Sequence, residues 1–95
     1  MHNKDNIKTS AAILKAIGHP IRVQIILALA NNRELTVTDL SNQLSIEQPI
    51  MSLHLSILRK HFVISVKKKG KQSLYSIHDN SVKQAVNIIY QTRYT

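Results

Sequence analysis

Residues 36–61 read TVTDLSNQLSIEQPIMSLHLSILRKH, and two apolar patterns of helical spacing follow each other within them. A helix is predicted to begin at Thr36, because Asp39 follows three residues later in the arrangement of a capping box. Residues 45–46 then form a short turn. The inward face of this first helix is marked by apolar residues at helical spacing, namely Val37, Leu40 and Leu44.

A second helix is predicted over residues 47–61, and Pro49 is tolerated there because it falls in the first turn. Its inward stripe also repeats at helical spacing and consists of Met51, Leu55 and Leu58. Two helices joined by a tight turn make a helix-turn-helix unit. The central part of the chain therefore predicts a DNA-binding architecture.

The sequence on either side completes this architecture. Residues 62–67 and 72–77 are partly β-branched or aromatic, and KKGK separates them, so they predict a hairpin. Further helices are predicted over 7–17, with Asp5 as its cap, over 20–30, and over about 80–94. The fold class is thus mainly α with a β-hairpin wing, a winged helix-turn-helix of order α-α-α-α-β-β-α, and residues 1–95 form a single domain.

The charge of the chain is concentrated in one region. Lys and Arg total 13 against 5 Asp and Glu, which gives a net charge of +8. No acidic residue occurs from Gln48 to His78, where Arg59 and Lys60 precede four lysines of the predicted wing, Lys67, Lys68, Lys69 and Lys71. A basic patch of this kind favours a polyanion such as nucleic acid.

Several classes of protein are disfavoured by composition. The chain has no cysteine, which excludes disulfides and thiolate metal sites. Its apolar runs are too short to span a bilayer and its N-terminus has no signal-peptide core, so a soluble cytoplasmic protein without a membrane role is expected. No spacing suggests a nucleophile activated by a base, so we do not expect an enzyme.

The outward face of the predicted helix over 47–61 is the candidate reading surface. If the apolar stripe faces inward, the residues that face outward are Gln48, Pro49, Ser52, Leu53 and Ser56. Gln48 is suited to hydrogen-bond an adenine, and Leu53 to contact a thymine methyl group. Phosphate contacts are assigned to the four lysines of the basic wing over 65–73. Arg59, Lys60 and Gln72 complete the predicted DNA-binding residues.

Four stretches of the chain together resemble the ArsR/SmtB family of bacterial winged-helix repressors. They are LKAIGHPIRVQIIL (14–27), ELTVTDL (34–40), SLHLSIL (52–58) and GKQSLYSI (70–77), and they occur in the family's order. The resemblance implies a homodimer built on the first and last helices, a palindromic double-stranded DNA operator, and release by a signal. The implied dimer interface comprises Ile7, Ala11, Leu14, Val82, Val86, Ile89 and Tyr90.

The chain departs from that family where the family senses metals. Thr36 and Thr38 stand where its thiolate sensor has cysteines, and hydroxyls do not replace thiolates as soft ligands. At its other sensor Asp79 matches, but Ser81, Thr92 and Thr95 take the remaining positions. We therefore expect no metal site and no cofactor, and the effector, if one exists, is unknown.

Other departures are structural. Leu53 replaces the family's usual Gln in the reading helix, and Phe62 stands where the family usually has Gly. Because a left-handed conformation strains any residue but Gly, the exit from the reading helix is expected to differ. His54 is interpreted as a helix-packing residue, His19 as a helix cap, and Arg22 as a structural residue, in preference to a phosphate contact.

An alternative function is a winged-helix protein-interaction module that meets an acidic partner with the same basic face. A protein-binding face normally carries aromatic or large apolar anchors. Since the outward face over 48–56 is mostly small and polar, the DNA-binding function is favoured.

Overall fold

The computed structural model describes residues 2–94 and confirms the predicted winged helix-turn-helix, with one short strand added. The chain is mainly helical. In chain order its elements are α1 (Lys4–Ile17), α2 (Pro20–Asn31), β1 (Leu35–Thr36), α3 (Val37–Leu44), α4 (Gln48–Lys60), β2 (Ile64–Lys69), β3 (Gln72–Ile77) and α5 (Asn80–Tyr94).

The three strands form one antiparallel sheet in the order β1-β3-β2. Strands β2 and β3 are the predicted wing, and Gly70 takes a φ of 64° in the turn between them. Strand β1 was not predicted. It pairs Leu35 with Tyr75 and Thr36 with Leu74, which attaches the start of α3 to the wing.

The hydrophobic core lies where the helix-turn-helix unit packs on α2, α5 and the base of the sheet. The predicted inward stripe of α4 is confirmed, because Met51, Leu55 and Leu58 are fully buried. Leu40 of α3 is equally buried, while Val37 and Leu44 pack against the core from its edge. Burying one such side chain contributes about 1.5–3 kcal/mol, so the core fixes which face of α4 remains outside.

Helices α1 and α3 begin at polar caps, of which the sequence predicts the one of α3. The Thr36 hydroxyl accepts from the Asp39 N–H and the Asp39 carboxylate accepts from the Thr36 N–H, both at 3.0 Å, so the capping box is confirmed. The cap of α1 is Asn3, whose side chain accepts from the N–H groups of Asp5 and Asn6, and the prediction of Asp5 was therefore wrong.

Helix α4 ends in a turn that holds a non-glycine residue in the left-handed region. The Phe62 N–H donates to the Arg59 carbonyl and the Val63 N–H donates to the Leu58 carbonyl, the two bonds of a Schellman motif. Phe62 has a φ of 58°. The prediction that the exit from this helix would differ was wrong, because Phe62 adopts the conformation that normally suits Gly.

Within residues 2–94, no single helix is long and apolar enough to cross a membrane. Helices α1 and α2 together have the length and composition of a span, but they meet at a bend of 89°.

Candidate nucleic-acid interface

The outer face of α4 carries the predicted reading residues. All of them are exposed, namely Gln48, Pro49, Ser52, Leu53 and Ser56. Ile50 is also exposed, and it was not among the predicted residues although it lies next to the inward-facing Met51. This face therefore combines hydrogen-bonding groups with two exposed aliphatic side chains, Ile50 and Leu53, which suit thymine methyl groups.

Gln48 is oriented by the neighbouring helix. Its Nε2 donates to the Thr38 hydroxyl at 3.1 Å, which ties the first turn of α4 to α3. The amide oxygen of Gln48 remains to accept from a base. A bidentate contact with adenine uses both ends of the amide, so this contact requires Gln48 to release Thr38.

The two serines of this face differ in what they can offer. The Ser56 hydroxyl donates to the carbonyl of Leu53 at 2.7 Å, so its proton is used within the helix. Among residues 2–94 the Ser52 hydroxyl forms no hydrogen bond, and it can donate to a base or to a phosphate. Ser52 is thus the better donor of the pair.

The wing carries the predicted basic residues, and all of them are exposed: Lys67, Lys68, Lys69, Lys71 and Gln72, with Arg59 and Lys60 exposed at the end of α4. Lys67 differs from the other wing lysines because its Nζ lies 2.8 Å from a Glu34 carboxylate oxygen. Among the residues the structure describes, this is the single salt bridge. Lys67 is therefore partly neutralised within the chain.

The partner of Lys67 was not foreseen, since Glu34 is distant in sequence and precedes β1. The hydrogen bond from Lys67 lowers the pKa of the Glu34 carboxyl below its usual value, against a smaller opposing effect of burial. Nearby Arg33 and Lys69 lower this pKa further. Glu34 is thus ionised at neutral pH beside the predicted DNA-binding surface.

A cluster of His19, Arg22 and His54 lies behind the reading face. Arg22 donates from Nε to the Ala16 carbonyl, and its Nη1 lies 3.2 Å from His54 Nδ1. Because a guanidinium only donates, His54 Nδ1 accepts, and the imidazole is neutral with its proton on Nε2. Arg22 therefore has the predicted structural role, although its partners are a carbonyl and an imidazole.

The histidines of this cluster have the roles that the sequence predicted. His54 is buried in the packing of α4, and its ring centroid lies 4.6 Å from that of His19. His19 caps α2 by accepting from the Ile21 N–H at 3.1 Å. Burial lowers the pKa of His54, and the charges of His19 and Arg22 lower it further.

At the positions that correspond to the family's metal sensors, the side chains form structural hydrogen bonds. The hydroxyl of Thr36 caps α3 and that of Thr38 accepts from Gln48. The Asp79 carboxylate caps α5 by accepting from the N–H groups of Ser81 and Val82. The hydrogen bond from the Ser81 hydroxyl lowers the pKa of Asp79 most, and the two backbone bonds lower it further. Thr95 lies outside the described residues.

Between residues 2 and 94, no group of three or more His, Cys, Asp or Glu side chains is arranged to hold a metal ion.

The predicted dimer residues fall into two groups. Ile7, Ala11, Leu14, Ile89 and Tyr90 are exposed on α1 and α5. Val82 and Val86 are only 6% exposed and pack in the core of their own chain, so their assignment to a partner interface was wrong. Three of the exposed group, Leu14, Ile89 and Tyr90, line an apolar groove of about 310 Å³ between α1, α2 and α5, to which Tyr94 also contributes.

Comparisons with known proteins agree with this architecture. The model of the arsR family of bacterial regulatory proteins matches residues 19–61, which contain α2, α3 and α4. A helix-turn-helix-type transcriptional regulator of Methanocaldococcus jannaschii is 33% identical over 85 residues, which are 90% of this chain and 96% of that protein.

Two further relatives have known roles in regulation. The biofilm growth-associated repressor of Xylella fastidiosa is 31% identical over 80 residues, covering 84% of this chain and 69% of the repressor. The structure of HlyU, a transcriptional activator of Vibrio cholerae, superposes with a TM-score of 0.88 at 27% identity. That superposition covers 98% of this chain and all of HlyU.

Proposed function

Because this chain belongs to the ArsR family of bacterial regulatory proteins and is a DNA-binding transcriptional regulator, we propose that it reads a palindromic operator as a homodimer. Helix α4 enters the major groove, and the wing lies over the adjacent phosphates. A regulator of this kind acts in the cytoplasm, where its operator is.

The observation that carries this proposal is the composition of the exposed face of α4 beside the wing. The face presents Gln48, Ser52 and two aliphatic side chains, and no acidic residue occurs between Gln48 and His78. An α-helix fits the width of the B-DNA major groove, where hydrogen-bonding and methyl groups distinguish the base pairs. Lys68, Lys69 and Lys71 are the phosphate-binding residues of the wing, since each is exposed and outside the salt bridge.

The homodimer is supported by the apolar surface of α1 and α5. Leu14 is 65% exposed, and Ile7, Ile88, Ile89, Tyr90 and Tyr94 add further exposed apolar area on the same two helices. Contiguous apolar surface of this kind marks an interaction site. A two-fold dimer presents two copies of α4, so the half-site centres should lie about 10 base pairs, or a multiple of that, apart.

We propose repression as the outcome of operator binding, as for the relative from Xylella fastidiosa. The activator from Vibrio cholerae shows that a similar chain can act in the opposite direction. A reporter gene under the operator decides this, because deletion of the regulator raises expression if it represses and lowers expression if it activates.

We expect no release of the DNA by a thiol reaction of this chain, because it has no cysteine. We also expect no response to zinc, which is normally held by about four N, O or S ligands. Zinc titrated into the operator complex should leave fluorescence anisotropy unchanged. Dissociation at submicromolar zinc, reversed by a chelator, would point to a histidine site across the dimer.

Footprinting on the DNA upstream of its own gene tests the main proposal, since such regulators often control themselves. A protected, two-fold symmetric site is expected, and competition with random DNA should leave it protected. If instead the protein protects all sequences equally and its basic face retains an acidic protein, the interaction-module function replaces the operator-binding one. A variant in which Lys68, Lys69 and Lys71 are changed to Gln should lose the footprint but remain folded, because it lacks the proposed phosphate-binding residues of the wing.

A further inference from the structure

A polar cleft of about 460 Å³ lies away from the reading face of α4. Its walls are the C-terminal end of α2, the base of the wing and the first turn of α5, and Ser76 and Ile77 of β3 contribute to its lining. Sites for small molecules usually have volumes of about 300–1,000 Å³. The cleft thus has the size of a ligand site.

The charge of the cleft favours an anion. Three cationic side chains, Arg33, Lys67 and Lys83, line it together with one acid, Glu34. Lys67 is paired with Glu34, whereas neither Arg33 nor Lys83 forms a salt bridge with any residue between 2 and 94. The cleft therefore has a net charge near +2, which complements the charge of about −1.5 to −2 of a phosphate monoester.

The side-chain amides that line the cleft indicate a second property of its ligand. Asn31 and Asn32 donate from Nδ2 to the carbonyls of Leu27 and Ala28, at 3.1 and 2.8 Å. These bonds fix both side chains and leave each amide oxygen to accept a hydrogen bond. A ligand that satisfies them carries N–H or O–H donors in addition to its anionic group.

We propose that this cleft binds a small phosphorylated molecule that carries hydrogen-bond donors, the chemistry shared by nucleotides and sugar phosphates. The phosphate lies between Arg33 and Lys83, and the donor groups face Asn31 and Asn32. The position of the cleft at the base of the wing makes this molecule a regulator of DNA binding, a consequence that rests on the proposed function.

The expected direction of this regulation follows from charge. A bound phosphate adds negative charge beside Lys67 and so lowers the positive potential of the wing. DNA affinity should decrease, and by thermodynamic reciprocity DNA should weaken binding of the phosphate compound by the same factor.

The site is tested on the chain without DNA, so that the result does not depend on operator binding. Adenosine monophosphate, ribose 5-phosphate and inorganic phosphate are titrated at physiological salt while backbone amide signals are followed by NMR. One of the two organic phosphates should shift the signals of residues 31–34, 76–77 and 80–83 at millimolar concentration or below. Inorganic phosphate should bind about tenfold more weakly, because it lacks the additional hydrogen-bonding groups.

Two lysine variants, each of which removes one positive charge, show where the organic phosphate binds. Lys83→Gln should weaken binding of the organic phosphate about tenfold, since a charged hydrogen bond is lost. Lys71→Gln, at the tip of the wing, should leave it unchanged. Arg33→Gln is a second variant of the cleft, and an unaltered spectrum elsewhere shows that each variant is folded. Shifts centred on residues 68–71 and lost in Lys71→Gln, or no shifts at millimolar concentration, would overturn the site.

The coupling to DNA is measured separately by fluorescence anisotropy with operator DNA. The phosphate compound that binds the cleft should lower the DNA affinity of the unmodified chain and leave that of Lys83→Gln unchanged. If the NMR shifts appear but both proteins respond alike, the regulatory consequence is wrong. If no operator is bound at all, the proposed function fails while the NMR result stands.

Discussion

Changing Glu34 to Gln tests whether the salt bridge with Lys67 restrains DNA binding. The Glu34 carboxylate lies 2.8 Å from Lys67 Nζ and is 29% exposed, so a DNA phosphate must displace it to use this lysine. A neutral Gln of nearly the same shape removes that competitor and leaves Lys67, which is 64% exposed, to bind phosphate. Glu34→Gln should therefore strengthen DNA binding.

The effect of Glu34→Gln on DNA binding is measured most directly as a change in the salt dependence of the affinity. Each neutralised phosphate contributes about −0.9 to the slope of log affinity against log salt concentration. Releasing Lys67 adds one contact per protomer, so the slope should steepen by about 0.9 for each protomer and about 1.8 for a dimer. Specific and random DNA should be affected alike, because phosphates carry no sequence information.

Fluorescence anisotropy at several salt concentrations measures this slope. Asp5→Asn is the control, because it changes the net charge equally at the start of α1. In a Lys67→Gln background, Glu34→Gln should have little further effect on the slope. This comparison separates the effect of the Glu34–Lys67 pair from that of the change in net charge. A slope that is unchanged in Glu34→Gln, or that steepens equally in Asp5→Asn, would refute the view that Glu34 competes with DNA for Lys67.

Three further outcomes are expected. Gln48→Ala should relax base preference at one position of each half-site, by about 1–3 kcal/mol in a competition assay over all single-base operator variants, and a uniform loss across variants would make Gln48 a backbone contact. Phe62→Gly should be about 1 kcal/mol more stable in urea denaturation than Phe62→Ala, because both lose the ring but only Gly accepts a φ of 58° without strain, and equal stability would contradict this. The lowered pKa of His54 implies stability that is fully present above pH 6.5 and is lost as the pH falls through the lower pKa of the folded chain. His54→Gln should therefore flatten the dependence of unfolding free energy on pH at mild acidity, as measured by urea denaturation over that pH range, and an unchanged dependence would contradict this.

The elements that the sequence predicts well are those whose causes are local. Thr36 and Asp39 of the capping box stand three positions apart, and the inward stripe of α4 repeats every turn, so both can be recognised from the sequence alone. The start of α1 shows the limit of this reasoning. Asn3 and Asp5 are both good caps, and the choice depends on which of them has extended backbone, which Asn3 has.

The features that the sequence does not reveal depend on contacts between distant residues. Strand β1 is only two residues long and exists because it pairs with β3, about forty residues later. The salt bridge of Glu34 and the hydrogen bond of Gln48 with Thr38 likewise join different elements. Val82 and Val86 were misassigned because α5 is apolar on two faces, and only packing decides which one meets the core.

Thr36 belongs at once to β1 and to the cap of α3, and this has a consequence for the thermodynamics of recognition. Its backbone pairs with Leu74 in the sheet while its hydroxyl holds the first turn of α3. Helix α3 is in turn tied to α4, because Gln48 donates to the Thr38 hydroxyl. The proposed reading helix and the wing are thus connected through α3. Because their relative position is fixed before DNA arrives, complex formation costs little ordering entropy within each protomer.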